Sequence, residues 1–185
     1  MTDVDGRQLL DLSMGFGAML AGHLNPVVVE EVKASLDTGM LFVTPSPIST
    51  DAAERICRRF GIDQVRFTNS GTESCELAVK MARKYWYDQG HSESVEIITF
   101  SGSFHGRSAA GIAAAGAEKM TKGFGPLLPG FVHLNFADHD AIAPAITDKT
   151  SAILVEPVQG EGGIRPLPDA CLKGLRDLCD EKGIL

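Results

Sequence analysis

Val65-Arg66-Phe67-Thr68-Asn69-Ser70-Gly71-Thr72-Glu73 decides the fold. Its pattern predicts a short strand, a tight turn and the first turn of a helix. Val65 and Phe67 alternate as strand residues do. Ser70 and Glu73 have the S-x-x-E spacing of a capping box, which starts a helix. Gly71 lets the backbone come close to a ligand with no Cβ between them. A helix start offers free N–H groups, and Ser70 and Thr72 add hydroxyls. The turn therefore reads either as an ordinary capped helix or as a phosphate site.

Downstream, Ser74–Gln89 has the longest helical pattern, with Leu77, Ala78, Met81, Ala82 and Tyr85 on one face and Gly90 at its end. Val95–Phe100 is a predicted strand, Arg107–Gly116 a small-residue helix, Lys119–Pro129 a loop and Phe131–Leu134 a strand. Asp138 caps a short helix that Pro144 limits. Ser151–Glu156 is the near-continuous apolar run of a buried parallel strand. A glycine-rich loop, Gln159–Gly163, precedes an amphipathic helix over Asp169–Lys182, and Ile184-Leu185 opens one more strand.

Upstream, Asp3–Arg7 predicts a hairpin turn that leads into a strand at Leu9–Leu12. Gly15–His23 is a glycine-rich loop with neither GxGxxG nor a lysine. Asn25 caps a helix with Pro26 at its first position, running to about Ser35. Thr44-Pro45-Ser46-Pro47 reads as an extended loop, and a second helix starts near Thr50-Asp51 and stops at Gly61. Strands alternate with helices. The expected fold is α/β, a mainly parallel sheet with helices on both faces. Residues 1–48 read as an N-terminal segment and 49–185 as the sheet domain.

The chain has 185 residues, 44% hydrophobic and 22% charged, as expected of a globular protein with a sizeable core. A net charge of -7 argues against nucleic-acid or anionic-membrane partners. No apolar run has the length of a membrane span, and the N-terminus lacks the apolar core of a signal peptide. Cys57, Cys75, Cys171 and Cys179 form no CxxC pair, and the expectation is reduced thiols in a cytoplasmic protein. His133, Asp138, His139 and Asp140 read as a helix start and a surface loop, with no metal.

In parallel α/β sheets, ligands sit at the carboxyl ends of the strands. Three loops fall there: Asn69–Thr72, Ser101–Arg107 and Glu156–Gly163. Phe104 either belongs to the core or offers a ring to a planar ligand. His105 is either a satisfied loop histidine or a neighbour of that ligand. Glu156, an acid ending a buried strand, needs a donor or a cation. Glu161 is either a solvated loop acid or part of the site. Gly102–Gly106 is not a hydrolase elbow, because its centre is Phe104 rather than serine.

Asn69-Ser70-Gly71-Thr72-Glu73, Ser103-Phe104-His105-Gly106-Arg107 and Glu156-Pro157-Val158-Gln159-Gly160-Glu161-Gly162-Gly163 occur in that order. Asp3–Gly6 and Gly22–Pro26 lie upstream of them. Together they resemble the class-III pyridoxal-phosphate-dependent aminotransferases, the ornithine and acetylornithine group, across essentially the whole chain. The resemblance implies the partial large domain of a fold-type-I transferase that uses pyridoxal 5'-phosphate. It implies transfer of an amino group from an amino acid or ω-amino acid to a 2-oxo acid, in a homodimer.

By the same resemblance, Ser70, Gly71 and Thr72 bind the cofactor phosphate. Phe104 stacks on the pyridine ring with His105 beside it, and Glu156 orders the surroundings. Glu161 matches the acid that pairs with an arginine and moves to admit different substrate carboxylates. Phe42 faces the substrate entrance or the partner subunit. The resemblance places the aspartate of the pyridine nitrogen, the Schiff-base lysine, the carboxylate-binding arginine and the small C-terminal domain beyond Leu185. No catalytic residue is then expected in this chain, and the 185 residues alone are expected to be inactive and poorly soluble. Glutamate-semialdehyde aminomutases share the Ser-Gly-Thr-Glu turn, so an isomerase is the alternative enzyme. A non-catalytic module that binds a phosphate ligand or a partner is the alternative from another class.

Overall fold

A computed structural model describes residues 1–136 and 138–185. The chain divides into two units, Met1–Arg66 and Phe67–Leu185.

In the first unit, Asp3 shapes the predicted turn. Its Oδ1 accepts from the N–H groups of Asp5 and Arg7, at 3.0 and 2.9 Å, and its Oδ2 accepts from Arg7 Nε at 2.7 Å. One antiparallel bridge, Thr2 to Gln8, closes the turn. The expected strand at Leu9–Leu12 does not form, because the pairing stops at that bridge and leaves Leu9, Leu10 and Leu12 exposed. Asp11 organises the glycine-rich loop instead. It accepts from His23 Nε2 at 2.8 Å and from the N–H groups of Met14 and Ser13. The His23 bond, then that of Met14, holds its carboxyl down at about 2.

Helix α1 spans Pro26–Leu36, with Asn25 Oδ1 accepting from Val27 and Val28 N–H. Helix α2 spans Pro47–Phe60 and ends on left-handed Gly61. It starts a turn earlier than Thr50. The Pro-Ser-Pro stretch read as loop supplies both Ser46, whose hydroxyl caps the Ser49 N–H, and Pro47, whose fixed φ suits the first helical position. Neither helix has a buried residue.

In the second unit, helix α3 covers Gly71–Asp88. The expected strand around Val65 and Phe67 is absent, since among the described residues no neighbouring strand pairs with that stretch. Strand β1, Glu96–Phe100, follows. Then come α4, Ala109–Ala115, and α5, Glu118–Thr121, a short helix that overlaps the start of the span expected to be loop. Strand β2 is Phe131–Leu134 and helix α6 is Ile142–Ala145. Helix α6 starts later than Asp138, which instead accepts from Ala141 N–H at 3.3 Å. Strand β3, Thr150–Ile153, stops short of Glu156. The glycine-rich loop after it is a small antiparallel hairpin, β4 Val158–Gln159 with β5 Arg165–Pro166. Helix α7, Asp169–Lys182, ends on left-handed Gly183.

The sheet is parallel in the order β2-β1-β3. Leu185 extends it: its N–H donates to Ser151 O at 3.1 Å and its carbonyl accepts from Ile153 N–H at 2.9 Å. Alternation along β1 sends side chains to opposite faces. Ile97 meets Val79 and Ala82 of α3. Ile98 and Phe100 meet Ile142 and, on α7, Leu175. Helices therefore cover both faces. Helix α4 works by small size: Ala110 to Ala115 are all buried, which lets its backbone approach the sheet closely. Among the described residues, no helix is long and apolar enough to cross a membrane.

Candidate functional site

The capped turn before α3 is built as its residues demand, with one difference. Ser70 Oγ accepts from Glu73 N–H at 3.2 Å. The Glu73 carboxylate reaches back past Ser70 and accepts from Asn69 N–H at 2.7 Å. Thr68 braces the turn, its hydroxyl 2.6 Å from Ser74 Oγ and donating to Ser70 O at 3.1 Å. Gly71 and Thr72 occupy the first helical positions, where N–H groups have no acceptor within the helix. A Cβ built on Gly71 would meet nothing within 4 Å, so the helix end is open there.

The Ser101–Arg107 loop lies against this turn. Gly106, at φ +96°, packs so closely on Thr72 that an added Cβ would overlap the Thr72 side chain. Ala110 N–H donates to Glu76 Oε1 at 3.2 Å, which ties the start of α4 to α3. The third loop joins through Glu156, whose Oε2 accepts from Phe104 N–H at 3.0 Å. Burial first, then the charges of Glu156 and Glu76, push the Cys75 thiol up. The three loops singled out in the sequence therefore meet at one end of the sheet.

Phe104 lies at the margin of the Ile112, Ala115 and Met120 cluster, partly buried. The Arg107 guanidinium stands 5.7 Å from its ring centroid. His105 is buried at 4% exposure, and its Nε2 has no hydrogen-bond partner among the described residues. Burial holds the imidazole below its ordinary range, so the ring is neutral. Ser103 Oγ is likewise buried without a partner. Orphaned polar atoms at a loop cluster mark a place where a polar ligand group would be satisfied. An open helix start with hydroxyls, a glycine held against Thr72, an aromatic ring and a neutral imidazole with a spare nitrogen fit a flat, phosphorylated cofactor.

Glu156 is pushed above its ordinary range, chiefly by burial. The N–H groups of Phe104 and Gly160 pull the other way, and the Glu161 charge adds to the rise. Folding thus favours the protonated acid. This stabilisation is present below about 4.5 and is lost as pH rises through the raised value. Glu156→Gln keeps an uncharged acceptor for Phe104 N–H. Urea unfolding from acid to neutral pH should therefore show the native protein losing stability relative to this variant. Parallel stability curves would contradict the assignment.

Glu161 is exposed at the hairpin tip, near enough to Glu156 to shift it. Phe42 belongs to the Met1–Arg66 unit, where it is exposed and its ring covers Gly39. Arg107, expected to open the small-residue helix, instead precedes α4 and its Ser108 cap. It is exposed and forms no salt bridge among the described residues.

Residues 1–185 match the family model of class-III aminotransferases. The chain is 52% identical over 185 residues to the acetylornithine aminotransferase of Rhodobacter capsulatus, covering 98% of this chain and 47% of that enzyme. Its fold superposes on the ornithine aminotransferase of Toxoplasma gondii with a TM-score of 0.91 at 28% identity, covering 100% of this chain and 45% of that one. A PLP-bound amine transaminase from an uncultivated Pseudomonas species gives 0.88 at 27% identity, covering 100% and 48%. The chain spans a little under half the length of these relatives.

Proposed function

The chain belongs to the class-III aminotransferase family, and from that premise we propose that the whole protein is an aminotransferase of the acetylornithine and ornithine type. It moves an amino group from an amino acid or ω-amino acid to a 2-oxo acid, with pyridoxal phosphate as cofactor. The observation that carries this reading is the open α3 start pressed against Gly106, with Phe104, His105 and Glu156 beside it.

Bound pyridoxal phosphate supplies an electron sink for bond cleavage at the substrate carbon. The chain's own residues do the rest. Ser70, Gly71 and Thr72 bind the phosphate through N–H and O–H donors at the positive end of α3. Phe104 orients the flat ring by stacking, and neutral His105 lies beside it without adding charge. Glu156 holds the Phe104 loop through its backbone N–H. Glu161 acts at the substrate end of the site.

We further read residues 1–48 as an N-terminal segment and 49–185 as an incomplete cofactor-binding large domain. The small domain falls in the half of the family's length that these residues do not span. The exposed Val27, Val28 and Val32 of α1 and Ile48 and Phe60 of α2 support a homodimer in the whole protein, which we place in the cytoplasm.

Thr72→Val in the whole protein tests the reading by cofactor titration. Shape is kept and a hydroxyl facing the phosphate is lost. Affinity should fall at least about tenfold, since a hydrogen bond to a charged group contributes roughly 1.5–3 kcal/mol. Unchanged affinity would remove this turn from the phosphate site.

A further inference from the structure

Gln159 sits in a surface hairpin yet is only 1% exposed. Its amide is engaged at both ends. Nε2 donates to Ser101 O at 3.2 Å, and Oε1 accepts from Arg165 Nη2 at 2.5 Å. The Arg165 guanidinium also covers the Phe136 ring, 4.7 Å from its centroid. Two glycines close around the pair. A Cβ on Gly102 would lie 2.6 Å from Arg165 Nη2, and one on Gly162 would lie 2.5 Å from Gln159 Oε1 and 2.8 Å from Gly102 O.

The hairpin stem is thereby fastened to the loop that follows β1. Its tip is held differently. Residues 160–164 have two internal backbone bonds, Gly163 N–H and Ile164 N–H to Gly160 O, at 3.1 and 3.2 Å. Ile164 is β-branched, exposed and at φ +53°, a strained conformation for its type.

We propose that Gln159 and Arg165 are positioning residues that set the hairpin carrying Glu161 in register with the loop carrying Phe104 and His105. The amide of Gln159 is the shared joint. Its donor end fixes the Phe104 loop at Ser101, and its acceptor end fixes the stem through Arg165. Loosening the joint frees both loops together. The consequence for substrate rests on the aminotransferase reading above, whereas the coupling of the two loops does not.

Hydrogen exchange on the cofactor-free whole protein tests the coupling. Gln159→Leu keeps bulk and removes both bonds. Amides of residues 101–104 and 160–164 should exchange about tenfold faster, with those of β1 unchanged. Acceleration in the hairpin alone, or in neither loop, would overturn the proposal. Arg165→Lys, which leaves Gln159 packed but removes the planar fork, should show the same paired pattern at smaller amplitude. It serves if Gln159→Leu does not fold. In the active enzyme, both variants should raise KM for the 2-oxo acid about tenfold with kcat within about threefold. A fall in kcat at constant KM would also overturn it. If the native protein catalyses no amino transfer, the aminotransferase reading fails while the exchange result still decides the joint.

Discussion

Mixed with pyridoxal phosphate, an amino acid and a 2-oxo acid, the 185-residue chain by itself is expected to transfer no amino group. The reason is chemical. The loops after β1, β2 and β3 contain no lysine, so no amine stands at the carboxyl ends of the strands. The eight lysines lie elsewhere: Lys33 on α1, Lys80 and Lys84 on α3, Lys119 and Lys122 at α5, Lys149 before β3, and Lys173 and Lys182 on α7. Noncovalent holding is weak as well. A helix start contributes about 0.3–2 kcal/mol to an anion, and a stacked ring roughly 0.5–1.5 kcal/mol. Micromolar binding needs about 8 kcal/mol. Product assays should stay at background, and borohydride treatment should trap no adduct at a single lysine. One specific trapped lysine would refute the prediction.

Gly106→Ala in the whole protein should be the most damaging small substitution at the site. The residue is at φ +96°, where a side chain is strained, and its Cβ would overlap Thr72. Strain costs about 1–3 kcal/mol, and forcing apart a packed contact costs a similar amount. A stability loss of roughly 2–4 kcal/mol is expected. Relief of the overlap would push the Phe104 loop away from α3, so cofactor affinity should fall in parallel. Gly174→Ala is the comparison. It lies within α7, and its added Cβ would meet nothing within 4 Å. An alanine in a helix interior gains about 0.5–1 kcal/mol over glycine. Equal stability of the two variants in denaturant unfolding would sink the claim that Gly106 is sterically required.

Much of this architecture was legible in the residues, and the exceptions have physical reasons. α3, β1, β2 and α7 form close to where their patterns put them, but α3 buries Val79 and Ala82 and leaves Met81 and Tyr85 of its expected face exposed. Strand-end topology accounts for the loops after β1 and β3, whereas the Asn69–Thr72 turn follows no strand and joins them through the contact of Thr72 with Gly106. The strand expected at Val65–Phe67 failed because alternation over three residues cannot say whether a neighbour exists. The β4–β5 hairpin was hidden because two-residue strands have no period and glycines read as loop. Gln159 was missed for a related reason. A glutamine among glycines looks solvated, and only the approach of Arg165 across the hairpin and of Ser101 from the loop after β1 buries it.

The strand order has a bearing on how the chain is made. β1 emerges first, β2 adds on one side of it, β3 on the other, and Leu185 then pairs outside β3. Among the described residues each new strand joins an existing edge, and none has to wedge between two already paired. A nascent chain leaving the ribosome can therefore assemble its sheet outward from a seed, using each segment as it appears.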